Sequence, residues 1–107
     1  MLIVVIEAIA TSASEAARVH AEARPLIAAT RTEPGCITYA FSQDCLDPAI
    51  IRVIERWRDQ ASMDAHLTSA HLGRFMAFLS GAALKSLTAK VYDATGERDL
   101  FGQSLAD

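Results

Sequence analysis

The sequence predicts an α+β fold in which four strands form one antiparallel sheet with helices on one face, in the ferredoxin-like order βαββαβ. Three observations lead there. Short runs rich in β-branched residues alternate with stretches of helical periodicity. The chain has 107 residues, enough for a single domain over 1–107 and too few for a second core. The strand runs are apolar on both faces, so the sheet needs cover on both sides.

Leu2 to Ala10 forms the first strand, with Leu2, Val4 and Ile6 on one face and Ile3, Val5 and Glu7 on the other, as in a central strand. No positive residue precedes it and Glu7 interrupts it, so it reads as a buried strand and not as a secretory leader. Thr11 to Ser14 supply helix-start chemistry, and Ser12 with Glu15 has the spacing of a capping box. The helix that follows runs to about Arg31 and turns Ala16, Val19, Ala23, Leu26, Ile27 and Thr30 inward. Pro25 predicts a kink or break near Ala21 to Arg24, because proline removes a backbone hydrogen bond and crowds the preceding turn. His20 falls on the solvated side and is given no role.

Glu33-Pro34-Gly35 ends that helix and turns the chain. Cys36 to Gln43 makes the second strand, with Ile37, Tyr39 and Phe41 on one face; Ile50 to Trp57 returns antiparallel, placing Ile51, Val53, Glu55 and Trp57 together. Asp59 is positioned to cap a short helix through Met63 and Leu67 that ends around Thr68 to Ala70. From His71 a further helix turns Leu72, Phe75, Met76 and Leu79 inward, and Ser86 to Asp93 forms the fourth strand. The tail over 96–107 has little periodicity apart from Leu100, Phe101 and Leu105 and is expected to rest on a partner subunit. The sheet face without helices predicts a homodimer with facing sheets.

Composition narrows the function classes. The 10 Lys and Arg are scattered among 13 Asp and Glu, unlike the clustered positive face that nucleic acid requires, so no nucleic-acid partner is expected. The longest wholly apolar run, Leu2 to Ile6, falls far short of the roughly 20 residues of a membrane span, so no membrane partner is expected either. Cys36 and Cys45 lie too far apart along an extended strand for a disulfide, form no C-x-x-C, and read as small buried hydrophobes suited to a cytoplasmic location.

Candidate chemistry gathers between Val53 and Phe75. Glu55 puts a carboxylate on an otherwise apolar strand face, where leaving it unpaired costs several kcal/mol or forces it to take up a proton. Trp57 shares that face, and His66 and His71 follow on helical segments. Glu55, His66 and His71 are metal-ligand types, but positions five apart on one continuous helix point away from each other, so no metal is expected; only a break near Ser69 would bring the histidines together.

The succession Glu33-Pro34-Gly35-Cys36 with Tyr39, Asp44-Cys45, then Val53-Ile54-Glu55-Arg56-Trp57 and Ala65-His66-Leu67 with Ser69-Ala70-His71 resembles the antibiotic-biosynthesis-monooxygenase family, in particular its small quinol monooxygenases. The resemblance implies a dimeric α+β barrel and oxygenation of a quinol-like or polyphenolic aromatic by O2 without metal, flavin or haem. The glycines agree with the absence of a cofactor, since they form no phosphate-binding loop. Haem-degrading members of the fold use an asparagine, a tryptophan and a histidine where this chain carries Glu7, His66 and Met76, so the haem triad is absent.

On this resemblance the catalytic residues are His66 and Glu55. An unperturbed imidazole titrates at about pH 6.5, which suits His66 to accept a proton from the substrate, while Glu55 orients it or stabilises its cation. Trp57 and Tyr39 would wall a pocket for a flat ring, and His71 would make a second polar contact. The alternative is a non-catalytic dimeric small-molecule binding or stress-related module. A cavity holding Glu55 and His66 favours chemistry, and a sealed pair favours scaffold.

Overall fold

The computed structural model describes residues 1–102. Its elements are β1 (Leu2–Ala10), α1 (Ala13–Thr30), β2 (Cys36–Gln43), β3 (Ile50–Trp57), α2 (Gln60–Leu67), α3 (Ala70–Leu79) and β4 (Leu84–Asp93). The four strands make one antiparallel sheet in the order β2-β3-β1-β4, the expected α+β ferredoxin-like arrangement with the second helix divided in two.

The helices pack on the face that presents Leu2, Val4 and Ala8 of β1 and Ile51, Val53, Glu55 and Trp57 of β3, all buried. From α1, Ala16, Val19, Ala23 and Leu26 meet them, and the small alanines let the helix approach the sheet closely. Burying a Val or Leu side chain contributes about 1.5–3 kcal/mol, so this layer supplies most of the driving force for folding. The cover stops short of β4: Leu87 and Val91 pair with Ala8 and Val4 on the helix side yet remain 48% and 54% exposed. On the opposite face Val5, Ile54 and Tyr92 are exposed. There Arg52 bridges two elements, its Nε donating to Glu7 at 3.2 Å and its other nitrogen pairing with Asp44.

Several details depart from the expectations. The helix α1 passes Pro25 without a break, because Pro25 lies on the solvent side, where water can take the carbonyl the proline leaves free. Ser12 caps α1 by accepting from the Glu15 N–H, but the Glu15 carboxylate pairs with Arg18 and the Ala83 N–H instead of reaching back to residue 12. Ile37 does not share a face with Tyr39: the register shifts between Cys36 and Thr38, leaving Ile37 as the extra, exposed residue. Met76 is also exposed, since α3 turns Phe75 inward and none of the described residues forms a layer beyond it. Cys45 sits exposed in the loop before β3 and Cys36 is half-buried, so neither is a core residue. His20, expected in solvent, is half-buried, and its Nε2 has no partner among the described residues.

No helix among the described residues is long and apolar enough to cross a membrane. In the tail, Leu100 and Phe101 are 84% and 75% exposed; Leu105 lies outside the described residues.

Candidate functional site

Three segments converge just past the end of α1. The first is the turn after α1, where Gly35 adopts φ +84°, a conformation that glycine takes without strain. A Cβ there would lie 2.1 Å from Ser62 Oγ, so only glycine lets the turn sit against α2. The Gly35 carbonyl accepts from Arg58 N–H at 2.8 Å, fixing the turn to the end of β3 and presenting the Glu33 side chain toward α2.

The second and third segments are the end of α2 and the start of α3. Asp59 caps α2, accepting from Ser62 N–H at 2.9 Å and from its hydroxyl at 2.6 Å. With the Arg58 side chain adding to those hydrogen bonds, the Asp59 carboxyl is held down at about 2. The helix ends at Leu67, and Ser69 begins the next by accepting from Leu72 N–H while its own hydroxyl donates to the His66 carbonyl at 2.7 Å. This break lets His66 and His71 face the same point.

That point is Glu33. Its Oε2 lies 2.7 Å from His66 Nδ1 and 2.7 Å from His71 Nε2. A carboxylate only accepts, so each of these ring nitrogens carries its hydrogen. The His66 side chain is 2% exposed, that of Glu33 14% and that of His71 20%, which makes His71 the outermost member. Behind His66 the Trp57 ring stacks at 4.9 Å and the Tyr39 ring meets it edge-on at 5.2 Å. Burial, reinforced by the Glu55 and Glu33 charges, pushes the Tyr39 hydroxyl well above its usual range and keeps it protonated.

The expected partner of His66 was Glu55, and here the structure differs. Glu55 Oε1 accepts from Trp57 Nε1 at 2.9 Å, while Glu33 takes the hydrogen bond from His66. Burial pushes the Glu55 carboxyl up; the indole hydrogen bond and the His66 charge oppose that. Tyr39, Glu55, Trp57 and His66 are thus brought together, but as packed, buried neighbours and not as the walls of an open pocket. His71 joins them through Glu33 and also lines a cleft of about 180 Å³ between α1 and α3, with Leu26, Arg74, Phe75 and Phe78. A second, shallower groove of about 430 Å³ lies apart, beside His20 and Phe41.

Glu33 is the residue that sequence reasoning missed. Preceding Pro34-Gly35, it read as punctuation at a helix end. The available signal was the glycine itself, since a turn that requires Gly35 packs closely against something and carries its neighbours with it.

Comparison with known proteins adds the family. A family model described as antibiotic biosynthesis monooxygenase matches residues 1–77. A solved structure of a candidate antibiotic biosynthesis monooxygenase from Deinococcus radiodurans is 26% identical, with a TM-score of 0.85 over 94% of this chain and 98% of that one. A conserved protein from Methanosarcina mazei is also 26% identical, with a TM-score of 0.78 over 89% and 94% of the two chains. An uncharacterized protein of Synechocystis is 30% identical over 59% of this chain, which spans 43% of that relative's length.

Proposed function

This chain belongs to the antibiotic biosynthesis monooxygenase family, and on that premise we propose that it is a cofactor-independent monooxygenase acting on a quinol-like or polyphenolic aromatic with O2. The observation that carries the reading is the Glu33–His66–His71 cluster, whose outer ring lines a cleft formed by Pro25, Leu26, Phe75 and Phe78 together with Glu22 and Arg74. Enclosed cavities of about 150 Å³ hold benzene, so a partly open cleft of about 180 Å³ has room for a single hydroxylated ring.

In this mechanism the substrate hydroxyl gives its proton to His71 Nδ1, the nitrogen left as an acceptor when Nε2–H is bound to Glu33. Glu33 stabilises the resulting imidazolium, and His66, donating to the same oxygen, holds the carboxylate in place. The electron-rich quinolate then reduces O2: one oxygen atom enters the ring, the other leaves as water, and the ring supplies the four electrons. The proton acceptor is therefore His71, in contact with substrate and backed by Glu33 and His66, while Trp57, held by Glu55, stacks on His66.

The uncovered sheet face and the exposed Leu100 and Phe101 support the second part of the reading, a homodimer closed by facing sheets and by the tails. Oxygen uptake by chelator-treated protein against a panel of quinols and polyphenols tests the activity. Turnover of a one-ring quinol is expected, and no uptake across the panel leaves the second reading, a non-catalytic binding or stress-related module. The burial of His66 with Glu55, Tyr39 and Trp57 is the observation that favours that second reading.

A further inference from the structure

We propose that Glu33, His66 and His71 form a binding site for a first-row divalent transition metal ion of the Zn2+ class. The donor set decides the class of ion. Two imidazole nitrogens and one carboxylate oxygen suit zinc and its neighbours, whereas Mg2+ and Ca2+ select oxygen ligands.

Convergence is the second observation. On an unbroken helix, residues five apart point about 140° away from each other. The break at Thr68 and Ser69 removes that divergence and directs His66 Nδ1 and His71 Nε2 onto one Glu33 oxygen, at 2.7 Å each. All three ligand atoms lie within 4.8 Å of one another. A tetrahedral ion with bonds of about 2.0–2.1 Å holds its ligand atoms about 3.3 Å apart. Binding thus requires the two short contacts to lengthen by about 0.6 Å each, from 2.7 Å toward about 3.3 Å, and the widest separation to close. The ring that can move is His71, in the first turn of α3 and partly exposed; His66 is fixed by Trp57 and Tyr39.

In chemical terms, the ion takes the place of the two N–H protons now shared with Glu33. Negative charge is at hand in Glu33, which ligates directly. Further coordination positions are filled from the cleft side, which His71 lines.

The site stands independently of the oxygenase reading and makes a prediction about it. A metal on His71 Nε2 leaves the hydrogen of the neutral ring on Nδ1, which then donates and no longer accepts a proton. Zinc is therefore expected to inhibit an oxygenase whose base is that nitrogen.

Isothermal titration calorimetry of the chelator-treated full chain with ZnCl2 tests the site, with MgCl2 as the contrast. The expected result is one zinc per chain with no saturable magnesium binding, and a zinc affinity weaker by at least about 10- to 100-fold for both Glu33→Gln and His71→Gln, since even the loss of a residue that only orients a ligand costs that much. Circular dichroism of each variant confirms that it is folded. Absence of saturable zinc binding to wild type, or wild-type affinity in folded Glu33→Gln, overturns the proposal. Quinol turnover by the chelated protein without zinc binding would overturn the metal site and leave the oxygenase; zinc binding without turnover would do the reverse.

Discussion

Replacing His71 by Phe keeps a planar ring at a partly exposed position and removes both nitrogens. The fold is therefore expected to persist while quinol oxygenation falls by about 10² or more, the scale of a lost general base. Glu33→Gln keeps an acceptor for one histidine but cannot stabilise an imidazolium, so a fall in kcat of about 10-fold or more is expected with an unchanged melting temperature. Wild-type turnover in either variant would detach the cluster from the chemistry. Glu55 makes a different prediction. Burial raises its folded-state pKa above its unfolded value, so the folded chain holds that proton more tightly. Its contribution to stability is complete below about pH 4.5 and is lost as pH rises through the folded value. Glu55→Gln retains an acceptor for Trp57 Nε1 without the buried charge. A higher Tm than wild type is expected at pH 7, converging with wild type below pH 4.5; a lower Tm at pH 7 would show that the carboxylate is stabilised where it lies.

At the scale of elements, the turn after α1 leaves no room for a larger residue at its glycine. Gly35→Ala forces a side chain into the positive-φ region and against Ser62 Oγ, 2.1 Å from the new Cβ. A loss of roughly 1–3 kcal/mol is expected in denaturant unfolding, together with lower oxygenation, because Glu33 moves with the turn. An unchanged midpoint would mean that the turn relaxes freely. Most elements were legible beforehand, and for a physical reason: alternation in β3 and the 3.6-residue stripe of α1 are written in consecutive side chains, as are the caps Ser12 and Asp59. What escaped depends on contacts between distant segments. The shift at Ile37 is set by how β2 pairs with β3, and Glu33 meets His66 across 33 positions of sequence. The break at Ser69 was visible as a condition, but which carboxylate it serves is decided only when the turn at Gly35 packs on α2.

For the whole molecule, the expected second copy covers the face bearing Val5, Ile54 and Tyr92. Val5→Lys places a charge in the middle of that face without touching the helix side of the sheet. Sedimentation is expected to show a dimer for wild type and a monomer of unchanged helix content for the variant; a monomeric wild type would refute the assembly. The same face carries the ionic bridge of Arg52 with Glu7 and Asp44. Buried against another sheet, these charges lose their water and tolerate only neighbours that leave their pairing intact. Arg52, Glu7 and Asp44 answer one another within a single chain, so the expected second copy has no charge of this set to neutralise and needs only to leave the bridge undisturbed.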